Sequence, residues 1–206
     1  MTQKKILNFI SLLLILIGFI GFVGAGLISL RVIDYPYELP LGNQGLVVSN
    51  DGRIFIGSDS YGKIQSYDSI GTFLKNWNTP KNGDNFRLKI KNDTIIVATL
   101  KGDNYVKYDL EGNLLSQTKV DDIYFTFEES YEFNSTKTIT NYHLNNGLFF
   151  NSVSSDKNGQ NKVIIKTPLL LKIFKGHDPA FLIVLIGVIL RFIADKENIM
   201  RRLNKN

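Results

Sequence analysis

A stretch from Gly45 to Leu115 repeats itself. Set 41 residues apart without a gap, Tyr67 falls on Tyr108, Asp68 on Asp109, Gly71 on Gly112 and Leu74 on Leu115. Upstream in the same register, Ile54, Ile56, Gly57 and Ser58 fall on Ile95, Val97, Ala98 and Thr99. The copies, 45–77 and 86–117, share strand and turn positions, so the repeat constrains architecture and not composition alone.

Each copy reads as four short strands. In the second, Phe86, Leu88 and Ile90 alternate with Arg87, Lys89 and Lys91, the period of a half-buried strand. Asn92 and Asp93 supply turn chemistry, and Ile95-Ile96-Val97-Ala98 returns as a strand apolar on both sides. The first copy does the same with Leu46-Val47-Val48, Asn50-Asp51-Gly52 and Ile54-Phe55-Ile56. Ile64 to Tyr67 and Tyr105 to Tyr108 form third strands; Phe73 to Trp77 and Leu114 to Gln117 form fourth strands. Between them, Asp68 and Asp109 accept hydrogen bonds from the turn backbone, and Gly71 and Gly112 take a positive φ where the chain leaves the turn. Four strands in about 40 residues is the size of a propeller blade.

Gly52-Arg53-Ile54-Phe55-Ile56 with Tyr67-Asp68-Ser69-Ile70-Gly71, and Tyr108-Asp109-Leu110-Glu111-Gly112 in the second copy, resemble the NHL and YVTN-type β-propeller repeats. The resemblance implies a mainly β fold of propeller-like blades. Propellers commonly have about four to eight blades. This chain of 206 residues has room for three at most, an incomplete ring.

The region 121–166 departs from the pattern. Ile123 to Phe127, Tyr131 to Phe133, Thr138 to Leu144, Leu148 to Val153 and Val163-Ile164-Ile165 read as strands, with hairpin chemistry at Asn146-Gly147 and a turn at Asp156 to Gly159. It is either a degenerate third blade or a capping set of hairpins. Terminal repeats are atypical, so a cap over the second copy is expected. One apolar blade face is then left for the linker Asp34 to Gln44, a membrane-proximal helix, or a second copy of the protein.

Both ends are hydrophobic. Ile6 to Leu30 carries no formal charge and follows Lys4 and Lys5. At about 1.5 Å per residue it more than spans a hydrocarbon core of about 30 Å. A signal peptide cleaved near Val23-Gly24-Ala25 is the rival reading, but its apolar region normally runs only about 7 to 15 residues. Gly18, Gly21, Gly24 and Ala25 place small residues along the second half of this helix; the Gly21/Ala25 spacing either permits close helix approach or reflects the ordinary glycine enrichment of membrane helices. Thr167-Pro168 caps a short interfacial helix, 167–176, stopped by Gly176. Asp178-Pro179 opens a second segment, apolar from Ala180 to Leu190 and then Arg191 and Phe192-Ile193-Ala194, which reads as a second span or an interfacial helix. The organisation is therefore an anchor at 1–31, an extracytoplasmic β domain at 32–166, the interfacial helix, and a second span with a basic cytoplasmic tail at 177–206.

The formal charge of +5 is local. Residues 34–178 carry 16 Lys/Arg against 17 Asp/Glu, a net −1. The excess flanks the hydrophobic segments, where it orients a membrane protein with both termini cytoplasmic. Nucleic acid is not an expected partner; membrane lipid is. The zero cysteine count excludes disulfides and thiolate chemistry.

The chain contains neither a metal-binding H-x-x-x-H nor a nucleophile elbow nor a phosphate loop. The resemblance brings in propeller lyases, which use histidines around a channel. Neither repeat holds one: His143 lies in the departed region and His177 beside the second apolar segment. The acidic run Asp121, Asp122, Glu128, Glu129 and Glu132 lacks calcium-loop spacing and reads as a solvated edge, as do Asp59 and Asp103. Tyr61, Trp77, Tyr105 and Tyr108 read as core and cross-strand residues or as a recognition surface. Asn92-Asp93-Thr94 and Asn134-Ser135-Thr136 match the glycosylation pattern, which acts only in a eukaryotic secretory setting.

No catalytic, cofactor or metal residue is assigned. The expected function is a non-enzymatic, membrane-anchored binding or scaffolding module for a protein or cell-envelope component, with homo-oligomerisation open. The alternatives are an enzyme or subunit of propeller lyase type, and an accessory subunit of a membrane complex.

Overall fold

The computed structural model describes residues 3–42, 45–58, 60–80, 86–99, 104–119, 132–135, 140–145, 151–157, 159–167 and 177–203. The chain divides into two compact units, a β unit of Ile28–Pro168 and a helical unit of Met1–Leu27 with Leu169–Asn206.

Within the β unit the described strands form three antiparallel four-stranded sheets, each a simple meander. Blade 1 holds β1 (Leu46–Val48), β2 (Ile54–Ser58), β3 (Lys63–Tyr67) and β4 (Phe73–Asn78). Blade 2 holds β5 (Phe86–Lys91), β6 (Thr94–Thr99), β7 (Asn104–Tyr108) and β8 (Leu114–Lys119). Blade 3 holds β9 (Glu132–Ser135), β10 (Thr140–Asn145), β11 (Ser152–Lys157) and β12 (Gln160–Lys166). The departed region is thus a full third blade. Its expected strand at Ile123 to Phe127 and its Asn146-Gly147 hairpin lie outside the described residues, as do residues 168–176 of the interfacial helix.

The repeat extends to its irregularities. The ladder slips between Ser66 and Tyr67 in blade 1, and between Lys107 and Tyr108 in blade 2. Each slip leads into the same turn: Asp68 Oδ1 accepts from the amides of Ile70 and Thr72 at 3.0 and 2.8 Å, and Asp109 Oδ1 from those of Glu111 and Asn113 at 2.8 Å. Gly71 and Gly112 take φ of 92° and 77°, as the sequence predicts. The first hairpins differ. Val48 pairs with Ile54 across a longer turn, while Lys91 pairs with Thr94 across Asn92 and Asp93, both at positive φ. The first strands therefore match one residue out of the ungapped register, with Leu46 equivalent to Leu88.

Blade 1 lies between the other two. One of its faces, with Leu46, Val48, Ile54, Ile56 and Tyr67, packs against Tyr142, Leu144, Val153 and Ile165 of blade 3. The other, with Val47, Phe55 and Ile64, packs against Phe86, Leu88, Ile95, Val97 and Val106 of blade 2. Each large apolar side chain buried in these layers contributes about 1.5–3 kcal/mol. The sequence reading had the departed region covering the second copy; it covers the first. The reason lies in the Ile54 face, which has the same apolar character as the Ile95 face and no neighbour earlier in the chain. Both contacts are built alike: the Gly112 turn of blade 2 sits on Trp77 in β4, and the Gly71 turn of blade 1 sits on Ile164 and Ile165 in β12.

The linker completes the cover of blade 1. Gln65, fully buried on the blade 3 side, accepts from the Leu39 amide at 2.7 Å. The Asn76 side chain donates to the carbonyls of Tyr35 and Tyr37, and the buried Lys63 ammonium reaches Asp34 at 3.3 Å and Asn76 at 3.1 Å. Gly42 passes so close to β2 that a Cβ there would lie 2.1 Å from the Gly57 carbonyl oxygen. The Leu41 amide then donates to Thr167 Oγ1 at 3.1 Å, and Asn151 Nδ2 donates to the carbonyls of Leu41 and Gly42. Thr167, read from sequence as a helix cap, spends its hydroxyl on this tie between the two ends of the β unit.

In the helical unit, α1 (Gln3–Ser29) and α2 (His177–Leu203) pack through small residues. A Cβ on Gly18 would lie 2.7 Å from the Ala180 carbonyl oxygen and from Val184, and one on Gly187 would lie 2.7 Å from Ile15. Ser11, Gly18 and Ala25 are buried on one helix at heptad spacing, and Ala180, Gly187 and Ala194 on the other. Arg191 and Asp195 form an i,i+4 ion pair at 3.3 Å.

These glycines make a graded test. Gly159 has φ of 77° and nothing within 4 Å of a built Cβ, so Gly159→Ala adds backbone strain alone, about 1 kcal/mol. At Gly71 a Cβ would lie 2.2 Å from the Ile164 carbonyl oxygen, so Gly71→Ala must also displace β12, for a total of about 3 kcal/mol or more. Denaturant unfolding of the detergent-solubilised chain, followed through its single tryptophan, Trp77, checks the order; equal losses contradict the packing of blade 1 on blade 3.

Candidate binding surface

The residues that sequence reasoning singled out scatter. Tyr61 and Tyr108 are buried, and Trp77 lies half-buried between the blades, its ring 6.1 Å from Phe55 and 6.3 Å from Tyr108. His143 sits in β10 opposite Ser154 and Glu132, on the outward face of blade 3. His177 opens α2. Asp59, Asp103 and the acidic run before Glu132 lie outside the described residues. Asn92 is in the exposed first turn of blade 2, and Asn134 is within β9. Among the described residues no cluster of three or more His, Asp or Glu is placed to hold a metal ion.

Several described ionic groups serve the joint between blades 1 and 2. Arg53 bonds Asp51 at 2.8 Å and Glu111 at 2.5 Å, and Lys75 reaches the other Glu111 oxygen at 2.7 Å. Lys75 and Arg53 hydrogen-bond the Glu111 carboxylate and hold it below its ordinary value. Slight burial pushes the Asp68 and Asp109 carboxyls up, but the turn hydrogen bonds outweigh it and leave both below the usual range. Burial, with the Glu38 charge beside it, pushes the Tyr67 phenol far up, so this buried ring stays neutral.

The outward faces of blades 2 and 3 differ in side-chain character. On blade 3, Asn141, His143, Asp156 and Asn161 lie on the outward face with the buried Ser154 and the exposed Val163 opposite it. On blade 2, Lys89, Ile96 and Lys107 are directly opposite one another, beside the row Arg87, Ala98 and Tyr105, with Lys91 one step on. Lys107 stands over the Tyr105 ring, 5.6 Å from its centroid. Where blade 1 has Val47, Phe55, Ile64 and Trp77, blade 2 has Lys89, Ile96, Tyr105 and Thr118 on the equivalent face. This basic face was missed from sequence. The alternation of Arg87, Lys89 and Lys91 was visible there, but only the one-residue slip in the first strand lines Lys89 up with Val47.

No protein-family model matches the chain, and a search of curated protein sequences returns no match. Among solved structures, the chain is similar to a streptogramin B lyase at 13% identity and a TM-score of 0.36, over 66% of this chain and 45% of that one. It is similar to selenomethionine-substituted virginiamycin B lyase from Staphylococcus aureus at 14% identity and a TM-score of 0.35, over 65% and 46%. A catalytically inactive form of the latter with quinupristin gives 15%, 0.34, 65% and 46%. The chain spans less than half the length of each. The three antiparallel sheets make the fold propeller-like; the NHL-type reading stays a resemblance.

The lowered carboxylates fix a pH dependence. A group whose native pKa is depressed adds stability above its unfolded value, about 4, and that stability is lost as pH falls through the native value. The chain therefore loses stability on the acid side of about pH 4, and Asp68→Asn with Asp109→Asn makes the loss shallower, because asparagine still accepts the turn amides. Denaturation midpoints measured across the acid range check this; an unchanged slope in the double variant contradicts it.

Proposed function

We propose that this is a non-enzymatic binding or scaffolding module, anchored in a membrane by two helices, with the β unit outside the cytoplasm. The outward face of blade 2 meets an acidic surface on a partner protein or envelope component. The observation that carries the reading is the change of character at this face: where blade 1 has Val47, Phe55 and Ile64, blade 2 sets Lys89, Lys91 and Lys107 around the buried Ile96 and Ala98. Four-stranded and cationic, with the half-buried Tyr105 among the charges, it fits steering and docking of negative groups.

Anchoring is supported by two features. α1 is long and apolar enough to cross a membrane. The α1–α2 pair also inverts the order of a water-soluble helical hairpin. Small residues fill the seam, while Phe9, Leu12, Leu16, Phe19, Phe181, Leu185, Val188 and Phe192 are all more than a third exposed. Pairing with Asp195 lowers the cost of carrying Arg191 at the end of a second span. The tie between Leu41 and Thr167 brings the two ends of the β unit together, as a hairpin entering the membrane from one side requires.

One experiment covers both claims, on a chain that has no cysteines of its own. Single cysteines at Ile70, Lys91 and Asn204 are labelled in intact cells and after purification. The reading predicts reaction from outside at Ile70→Cys, none at Asn204→Cys, and protection of Lys91→Cys in cells that is lost on purification. Outside labelling of Asn204→Cys contradicts the topology, and equal labelling of Lys91→Cys in both settings contradicts the binding face.

A further inference from the structure

Just beyond α1, the segment from Leu30 to Tyr37 sorts its side chains by polarity. Its two charged residues both turn to blade 1. Arg31, at φ 58°, donates to the carbonyls of Gly62 and Thr79, and Asp34 pairs with the buried Lys63. The apolar side chains do the opposite: Val32 is 67% exposed, Ile33 44% and Tyr37 66%. Tyr37 stands edge-on to Tyr35, their centroids 5.3 Å apart. Arginine directly after a span ordinarily serves the lipid headgroups. Here it holds a strained backbone to serve the domain instead, which leaves Asp34, paired with Lys63 but with its side chain 83% exposed, as the segment's one outward charge.

We propose that Val32, Ile33 and Tyr37 form a collar that lies in the headgroup and upper acyl layer of the bilayer α1 crosses. The inference rests on α1 being a membrane span. Chain length supports the location, since Val32 and Ile33 follow the helix end by three and four residues, a reach of at most about 14 Å. Interfacial apolar groups bury about 5–10 Å into the boundary, and a tyrosine with an apolar ring and a polar tip suits that depth. The collar and the Arg31 bonds act together. The Arg31 charge, which would otherwise favour water or headgroups, is taken up by the Gly62 and Thr79 carbonyls.

The test uses the full chain in phosphatidylcholine vesicles, with one environment-sensitive fluorophore per variant on cysteines at Leu16, Ile33, Tyr37 or Ile70. Ile70 is 74% exposed, in the turn at the opposite end of β3 from Gly62. Lipids carry a spin-label quencher either at the headgroup or deep in the acyl chain. The collar predicts quenching at Ile33→Cys and Tyr37→Cys that is stronger from the headgroup label than from the deep one. Leu16→Cys is quenched by the deep label, and Ile70→Cys by neither. Quenching of Leu16→Cys with Ile33→Cys and Tyr37→Cys as unquenched as Ile70→Cys overturns the collar and keeps the span. No quenching at Leu16→Cys overturns the span and the collar with it.

Discussion

Blade 1 carries apolar side chains on both faces, and everything else in the β unit is arranged around covering them. Ile54, Phe55, Ile56, Ile64 and Tyr67 are all fully buried in one thin sheet. No single neighbour can do that, because successive side chains of a strand point to opposite faces. Blade 2 follows in sequence and takes the Phe55 side. The Ile54 side falls to residues at the far end of the unit, blade 3, and to the linker that precedes blade 1. A consequence is the Leu41–Thr167 tie, in which the beginning and end of the β unit share a hydrogen bond.

With blade 1 inside, the outer faces of blades 2 and 3 are terminal among the described strands, and both are more polar than the faces packed on blade 1. Stacked repeats need polar outer faces at their ends. Blade 3 carries amides and His143 there beside the exposed Val163, while blade 2 carries lysines around the buried Ile96 and Ala98. The region expected to cap the second copy is instead the alternative, a four-stranded third blade, and it packs on the first copy. The difference in character between the two ends is what makes the blade 2 face the better candidate for a partner.

The blades of the first two copies were legible because their signals are local. Asp-x-x-Gly turns, period-two alternation and doubly apolar second strands fix strands and turns within a few residues of themselves. Gly71 and Gly112 carry the positive φ that their turns demand. The order of the blades was not legible, because it depends on which face of Ile54-Phe55-Ile56 meets which partner, a long-range choice that periodicity does not encode. The helix seam was half legible. Gly18 was visible as one of a run of small residues, but its partner Ala180, and the Gly187 that meets Ile15 and Ser11, are separated from α1 by the whole β unit and read simply as apolar sequence. Lys63, Gln65 and Asn76 look like the polar side of an ordinary edge; only the linker lying across them explains why the first two are buried.

The most direct test of this account is the order of the blades. Spin labels at Ile70 and Val163, both exposed, report the joint between blades 1 and 3, and labels at Leu115 and Val163 span all three sheets. With stacked sheets about 10 Å apart, a central blade 1 predicts a clearly shorter distance for the first pair than for the second, by about one sheet spacing. A shorter distance between Leu115 and Val163 would put blade 3 on blade 2 and contradict the central position of blade 1.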